Sequence, residues 1–172
     1  MRFFALLTGS VLIGVSSYLP VQAQTITHTI QASDSLAPTV KKTSKRAHDA
    51  YQPLGEQISS YSMQFVHDPY VWGGSSPAGF DCSGFTVYTY AHFGITLPRT
   101  ASGQSELGSY VSENHLQPGD LVFFDTDGEG VSHVGIYIGN GNFISAASVD
   151  VCVSSLTSGY WADHYITARR VN

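Results

Sequence analysis

A chain of 172 residues with 42% apolar side chains, ten tyrosines and nine phenylalanines can bury one domain core and still carry a leader. The formal charge is −5, and from Tyr51 onward three arginines face eleven carboxylates, a net of −8. So acidic a region repels a phosphate backbone, which excludes nucleic acid as a partner.

Residues 1–23 have the marks of a signal peptide: Arg2 at the start, a largely apolar run over 3–15, and Val21-Gln22-Ala23 at a cleavage point. Thr8, Gly9, Ser10, Gly14, Ser16 and Ser17 dilute this run, whereas a spanning helix requires roughly 20 predominantly apolar residues. Export to the periplasm or cell wall is therefore expected, with no stable membrane anchor left after cleavage. Residues 24–50 lack Phe, Tyr and Trp and include Lys41-Lys42-Thr43-Ser44-Lys45-Arg46, the composition of a flexible tether. The folded domain is expected over 51–172.

Leu54, Ile58, Tyr61 and Phe65 form one stripe of an amphipathic helix, with Pro53 suited to its first turn. Gly73-Gly74-Ser75-Ser76-Pro77 predicts an irregular loop. A second helix is predicted from Cys82 to about Phe93, ended by Gly94, and a short third over 101–107. Strands follow. Pro118-Gly119 turns the chain into a strand over 120–124. Over 133–138, Val134, Ile136 and Ile138 take one face while His133, Gly135 and Tyr137 take the other. Asn140-Gly141 is a hairpin signal, and 143–147, 151–154 and 165–170 read as further strands. Helices first and strands after predict an α+β domain with helices packed on one antiparallel sheet.

Asp81 is suited to cap a helix, which puts Cys82 in the first turn. There the helix dipole and unpaired N–H groups favour a thiolate, and the Cys82 amide can face a developing oxyanion. Ser83 and Gly84 are small enough to admit a substrate backbone. An exported protein with two cysteines can also form one disulfide, which would silence Cys82. Cys152 in Val151-Cys152-Val153 reads instead as a small buried hydrophobe, leaving Cys82 free. A histidine can serve both as base and as acid toward the leaving amine. Of seven histidines, His133 projects from a strand whose opposite face is apolar, although a strand histidine can equally be structural. The acidic run 125–130 lacks calcium-loop spacing. Zinc-protease, phosphate-loop and serine-hydrolase patterns are absent from the sequence, and no metal or other cofactor is expected.

Five motifs then occur in order: Tyr70-Val71-Trp72-Gly73-Gly74, Gly79-Phe80-Asp81-Cys82-Ser83-Gly84-Phe85, Leu97-Pro98-Arg99-Thr100, Pro118-Gly119-Asp120-Leu121-Val122-Phe123-Phe124 and His133-Val134-Gly135-Ile136-Tyr137-Ile138-Gly139. Together they resemble the NlpC-type family of bacterial cell-wall cysteine peptidases, a compact papain-like branch. The tail from Tyr160-Trp161 to Val171 is similar to periplasmic murein endopeptidases of the MepS kind. The resemblance implies Cys82 as nucleophile, His133 as base, and Tyr70 as an oxyanion aid or a packing residue. It places Asp81 and Ser83 near the substrate groove, and Arg99 as a loop anchor. The family sets a third polar residue, often histidine, twelve positions after the base; here that position is Ser145. A hydroxyl can accept the ring N–H but carries no charge. A two-residue turn at Asn140-Gly141 would leave Ser145 on the face opposite His133, whereas a three-residue loop with a bulge would restore it. The implied activity is hydrolysis, by a monomer, of diaminopimelate-containing amide bonds in peptidoglycan stem peptides or crosslinks. The alternatives are a weak or inactive murein-binding module and, behind it, an acyltransferase.

Overall fold

Proline brings no amide to a helix start, where the first N–H groups have no partner anyway, and α1 (Leu54–Ser62) begins directly after Pro53. The computed structural model describes residues 52–171; the expected signal peptide and tether lie outside the described residues. A single 3₁₀ turn, Met63–Phe65, continues α1. Ile58 and Phe65 are buried as the stripe predicts, but Leu54 is exposed on the first turn, where it lines a groove with Pro118 and Arg170.

A hairpin of β1 (Ser75–Ser76) and β2 (Gly79–Phe80) leads into α2 (Cys82–Ala91). Gly94 follows at φ +77°, the left-handed conformation that ends a helix at little cost to glycine. The short α3 (Ala101–Ser105) is capped by the Thr100 hydroxyl. Then come β3 (Ser109–Val111), β4 (Leu121–Phe124), β5 (His133–Gly139), β6 (Asn142–Ala147), β7 (Asp150–Ser155), α4 (Tyr160–His164) and β8 (Tyr165–Arg170). The hairpin β1–β2, β3 and α4 have no counterpart in the sequence reading, being too short to show a period.

Six strands form one antiparallel sheet in the order β3-β8-β4-β5-β6-β7. Alternation along the central strands gives it two apolar faces. Leu121, Phe123, Val134, Ile136, Ile144 and Ala146 pack with Ile58, Phe80 and Phe85 beneath the helices. Val122, Phe124, Phe143, Leu156 and Ala168 form a second cluster, against which Trp161 and Tyr165 pack. The domain is α+β, as expected.

The β5–β6 connection decides which side chains meet. Asn140 (φ +54°) and Gly141 (φ +72°) form a two-residue turn with Gly139 opposite Asn142. An unbroken ladder from that turn would pair Ile136 with Ser145. Instead the register shifts between Tyr137 and Gly139, so that Ile136 faces Ile144. The bulge thus sits in the strand, not in the turn, and that one extra residue moves Ser145 onto the face of His133.

Candidate active site

Asp81 ends the approach from β2, and its carboxylate accepts the Gly84 amide at 2.7 Å, capping α2 and placing Cys82 in the first turn. The same carboxylate is held from outside. Arg99 donates to its two oxygens at 2.9 Å and 2.6 Å, and the Gly73 amide at 2.9 Å. Burial alone pushes the Asp81 acid up, but Arg99 and the two amides outweigh it and hold the group below the usual carboxylate range. Arg99 also donates to the Ser83 hydroxyl at 2.9 Å. Gly84 does not open space for a substrate, as its size suggested. A Cβ there would lie 2.0 Å from the Gly74 carbonyl oxygen, so the small residue admits the protein's own loop.

Both cysteines are free. Cys152 sits half-buried on β7, not in the core; it stands opposite Ser145 on one face of the sheet while Val151 packs into the core on the other. Cys82 is also half-buried, and the amides of Ser83 and Val134 are near enough to favour its thiolate. Burial pushes its thiol up, the Asp81 charge adds to this, and the two amides only partly compensate. The expected thiolate is therefore not the resting form: desolvation outweighs the stabilisation available at the helix start.

His133 opens β5, one residue before Val134, whose amide favours the Cys82 thiolate. Its Nε2 shares a 3.0 Å hydrogen bond with Ser145 Oγ. The ring is only 8% exposed, and burial brings its pKa down to about 4. Trp161 lies over it, centroids 4.7 Å apart at 30°, with Phe124 at 6.0 Å. Thiol and imidazole are both neutral at rest.

Tyr70 stands between two grooves. One, of about 450 Å³, is lined by Cys82, Ser83, Asp81, Arg99, Trp72 and Ser102; the other, of about 410 Å³, by His133, Thr126, Ala147, Tyr160 and Trp161. The charges of Cys82 and Asp81, after burial itself, raise the Tyr70 phenol, as its closeness to the sulfur requires. Trp72, at 87% exposed, rims the first groove. The sequence reading missed Trp72 and Trp161 as site residues, although they are the chain's only tryptophans. Among the described residues no group of three or more His, Cys, Asp or Glu could hold a metal, and no helix is long and apolar enough to cross a membrane.

Helices α1 to α3 on one face of an antiparallel sheet, with a cysteine at a helix start and a histidine at a strand start, make this an α+β domain of papain-like layout. The chain belongs to the NlpC/P60 family, whose pattern matches residues 67–170. It is 42% identical over 119 residues to the bifunctional muramidase/DL-endopeptidase CwlT of Bacillus subtilis, covering 67% of this chain and 36% of that protein. It is 46% identical over 116 residues to the murein DD-endopeptidase MepH of Escherichia coli, covering 63% of this chain and 43% of the other. This chain thus spans less than half the length of either relative. The crystal structure of an NlpC/P60 protein from Bacillus cereus superimposes with a TM-score of 0.65 at 42% identity, over 69% of this chain and 40% of that one.

Proposed function

We propose that this domain is an exported peptidoglycan endopeptidase that hydrolyses amide bonds involving diaminopimelate, with Cys82 as nucleophile and His133 as proton carrier. The observation that carries the reading is the placing of Cys82 at the start of α2 and of His133, hydrogen-bonded to Ser145, at the start of β5, on two grooves that share Tyr70. With Nε2–H donating to Ser145, Nδ1 is the nitrogen left to take a proton. Sulfur attacks the substrate carbonyl carbon as its proton passes to His133. The carbonyl electron pair moves to oxygen, where the Cys82 amide and the Tyr70 hydroxyl stabilise it. Collapse breaks the C–N bond, the imidazolium protonates the departing amine, and a thioester remains. Water then attacks the thioester, giving its proton to His133, and the resulting acid leaves as sulfur regains a proton.

A resting neutral pair suits this sequence, because the proton moves as the bond forms. Asp81 and Ser83 shape the groove beside the nucleophile, with Asp81 acting chiefly through the cap. The net acidity of the domain favours a substrate with a free amino group, as diaminopimelate has when it is not crosslinked. The names of the relatives divide between a DL- and a DD-endopeptidase, which supports murein as substrate and leaves both a γ-D-glutamyl–diaminopimelate link and a D-alanyl–diaminopimelate crosslink open.

A second reading, a murein-binding module with little activity, draws on Ser145, which offers His133 a hydroxyl and no charge. Digestion of purified peptidoglycan by wild type, Cys82→Ala and Ser145→His, with products identified by mass, decides between them. The peptidase reading expects stem-peptide fragments from wild type and none from Cys82→Ala. No fragments from wild type, with fragments appearing in Ser145→His, would favour the binding module. Transferred adducts in place of hydrolysed ends would indicate an acyltransferase.

A further inference from the structure

Once the Cys82 proton reaches His133, the ring is a cation in an apolar setting. Because the proton moves as the bond forms, no thiolate stands beside the ring, and the negative charge lies on the substrate oxygen. Ser145 on β6 contributes only a hydroxyl dipole. The titratable groups that share the ring's groove are the phenols Tyr70 and Tyr160; Cys82 on α2 lines the adjoining groove beyond Tyr70, and Cys152 on β7 stands opposite Ser145. Phe124 on β4 adds none. Asp125, next to Phe124, and Asp163, two residues beyond Trp161, line a different pocket together with Asp127 and His164.

Against this ring stands Trp161, its centroid 4.7 Å away and its plane tilted by 30°. The indole is itself clamped edge-on, by Phe124 at 5.0 Å and 65° and by Phe143 at 5.4 Å and 85°. Gly159, at φ +69°, turns the chain into α4 and so brings the indole over β5. An aromatic face carries the negative part of the ring quadrupole, and a cation within about 6 Å of its centroid is attracted, most strongly to tryptophan and most strongly where water is absent.

We infer that Trp161 is the positioning residue that stabilises protonated His133, its π face taking the part that a charged orienting partner would take on the Ser145 side. This rests on His133 carrying the proton in the peptidase reading. Trp161 exerts two opposed effects on the ring: it excludes water, which disfavours the cation, and it presents electron density, which favours it. Burial already brings His133 down to about 4, so the imidazolium has much to gain from that density.

Fluorinated tryptophans separate the two effects, since fluorine withdraws ring electron density with little change of shape. The chain has two tryptophans, so the analogues are placed in a Trp72→Phe protein, where Trp161 is the sole indole. The value of kcat/KM on a stem-peptide substrate should fall stepwise with fluorine number, about tenfold from none to four. The His133 titration midpoint, followed by NMR without substrate, should fall in step. Trp161→Leu should reproduce the loss and Trp161→Phe should recover part of it. Rates and midpoints insensitive to fluorine would overturn the inference, as would Leu and Phe variants that behave alike. A wild-type protein that releases no stem-peptide fragment defeats the peptidase reading instead, and the substrate-free midpoint still decides for or against Trp161.

Discussion

The start of α2 and the start of β5 lie side by side but are built from opposite materials. Around Cys82 the framework is ionic: Asp81 gathers Arg99, the Gly73 amide and the Gly84 amide onto one carboxylate. Around His133 it is aromatic, with Trp161 and Phe124 against the ring and one hydroxyl at its edge. The contrast has a chemical logic. A helix end exposes unpaired amides that call for an anion, and that anion in turn calls for a cation to hold it. A strand in mid-sheet has its backbone groups paired, so its side chains can be fixed by packing alone. The two halves should therefore fail under different stresses.

The largest difference is expected in acid. His133 titrates near 6.5 when unfolded and at about 4 when folded, so the unfolded chain binds more protons between those values. Stability should be intact above pH 6.5 and fall as the pH drops toward 4, by roughly 3 kcal/mol in all. Urea melts across that window measure it, and a His133→Gln protein should lack the slope. The Asp81 half has the opposite sign of group and a separate window. Its folded pKa lies below the usual 3.8, so its contribution is present above that value and lost only at lower pH.

Asp81→Asn strikes the ionic half directly, since it leaves Arg99 without its anion and weakens the cap. A loss of about 2 kcal/mol is expected, short of the cost at a fully buried pair because the Arg99 side chain is 44% exposed. Equilibrium denaturation at neutral pH reads it, and a change under about 0.5 kcal/mol would show that the amides alone hold the loop. Ser145→Ala, on the other half, removes the one polar partner of a buried ring nitrogen. It should cost about 1 kcal/mol in stability and reduce kcat more than KM, because the ring loses orientation and not substrate contact. Smallest of all, Arg99→Lys keeps the charge but loses the fork, and should cost well under about 1 kcal/mol, with greater sensitivity to salt in the melt.

Much of the scaffold was legible in one dimension. The helix stripe at Ile58 and Phe65, the cap at Asp81, the alternation of β5 and the turn at Asn140-Gly141 are all local, each set by a few neighbouring residues and their periods. Elements of two or three residues such as β1 and β3 carried no period to read. Gly84 was misread for a different reason: its small size answers to Gly74, ten positions away in sequence and brought close only by folding.

Sequence by itself determined the order of helices and strands, the caps and turns that bound them, and the residue types suited to thiol chemistry. Tertiary structure alone decided which of these face one another. A single bulge at the end of β5 turned Ser145 toward His133, a glycine-led turn carried Trp161 over the ring, and desolvation set both the thiol and the imidazole neutral. Local propensity depends on neighbours along the chain, whereas register, burial and electrostatic environment depend on neighbours in space, and those exist only once the chain has closed on itself.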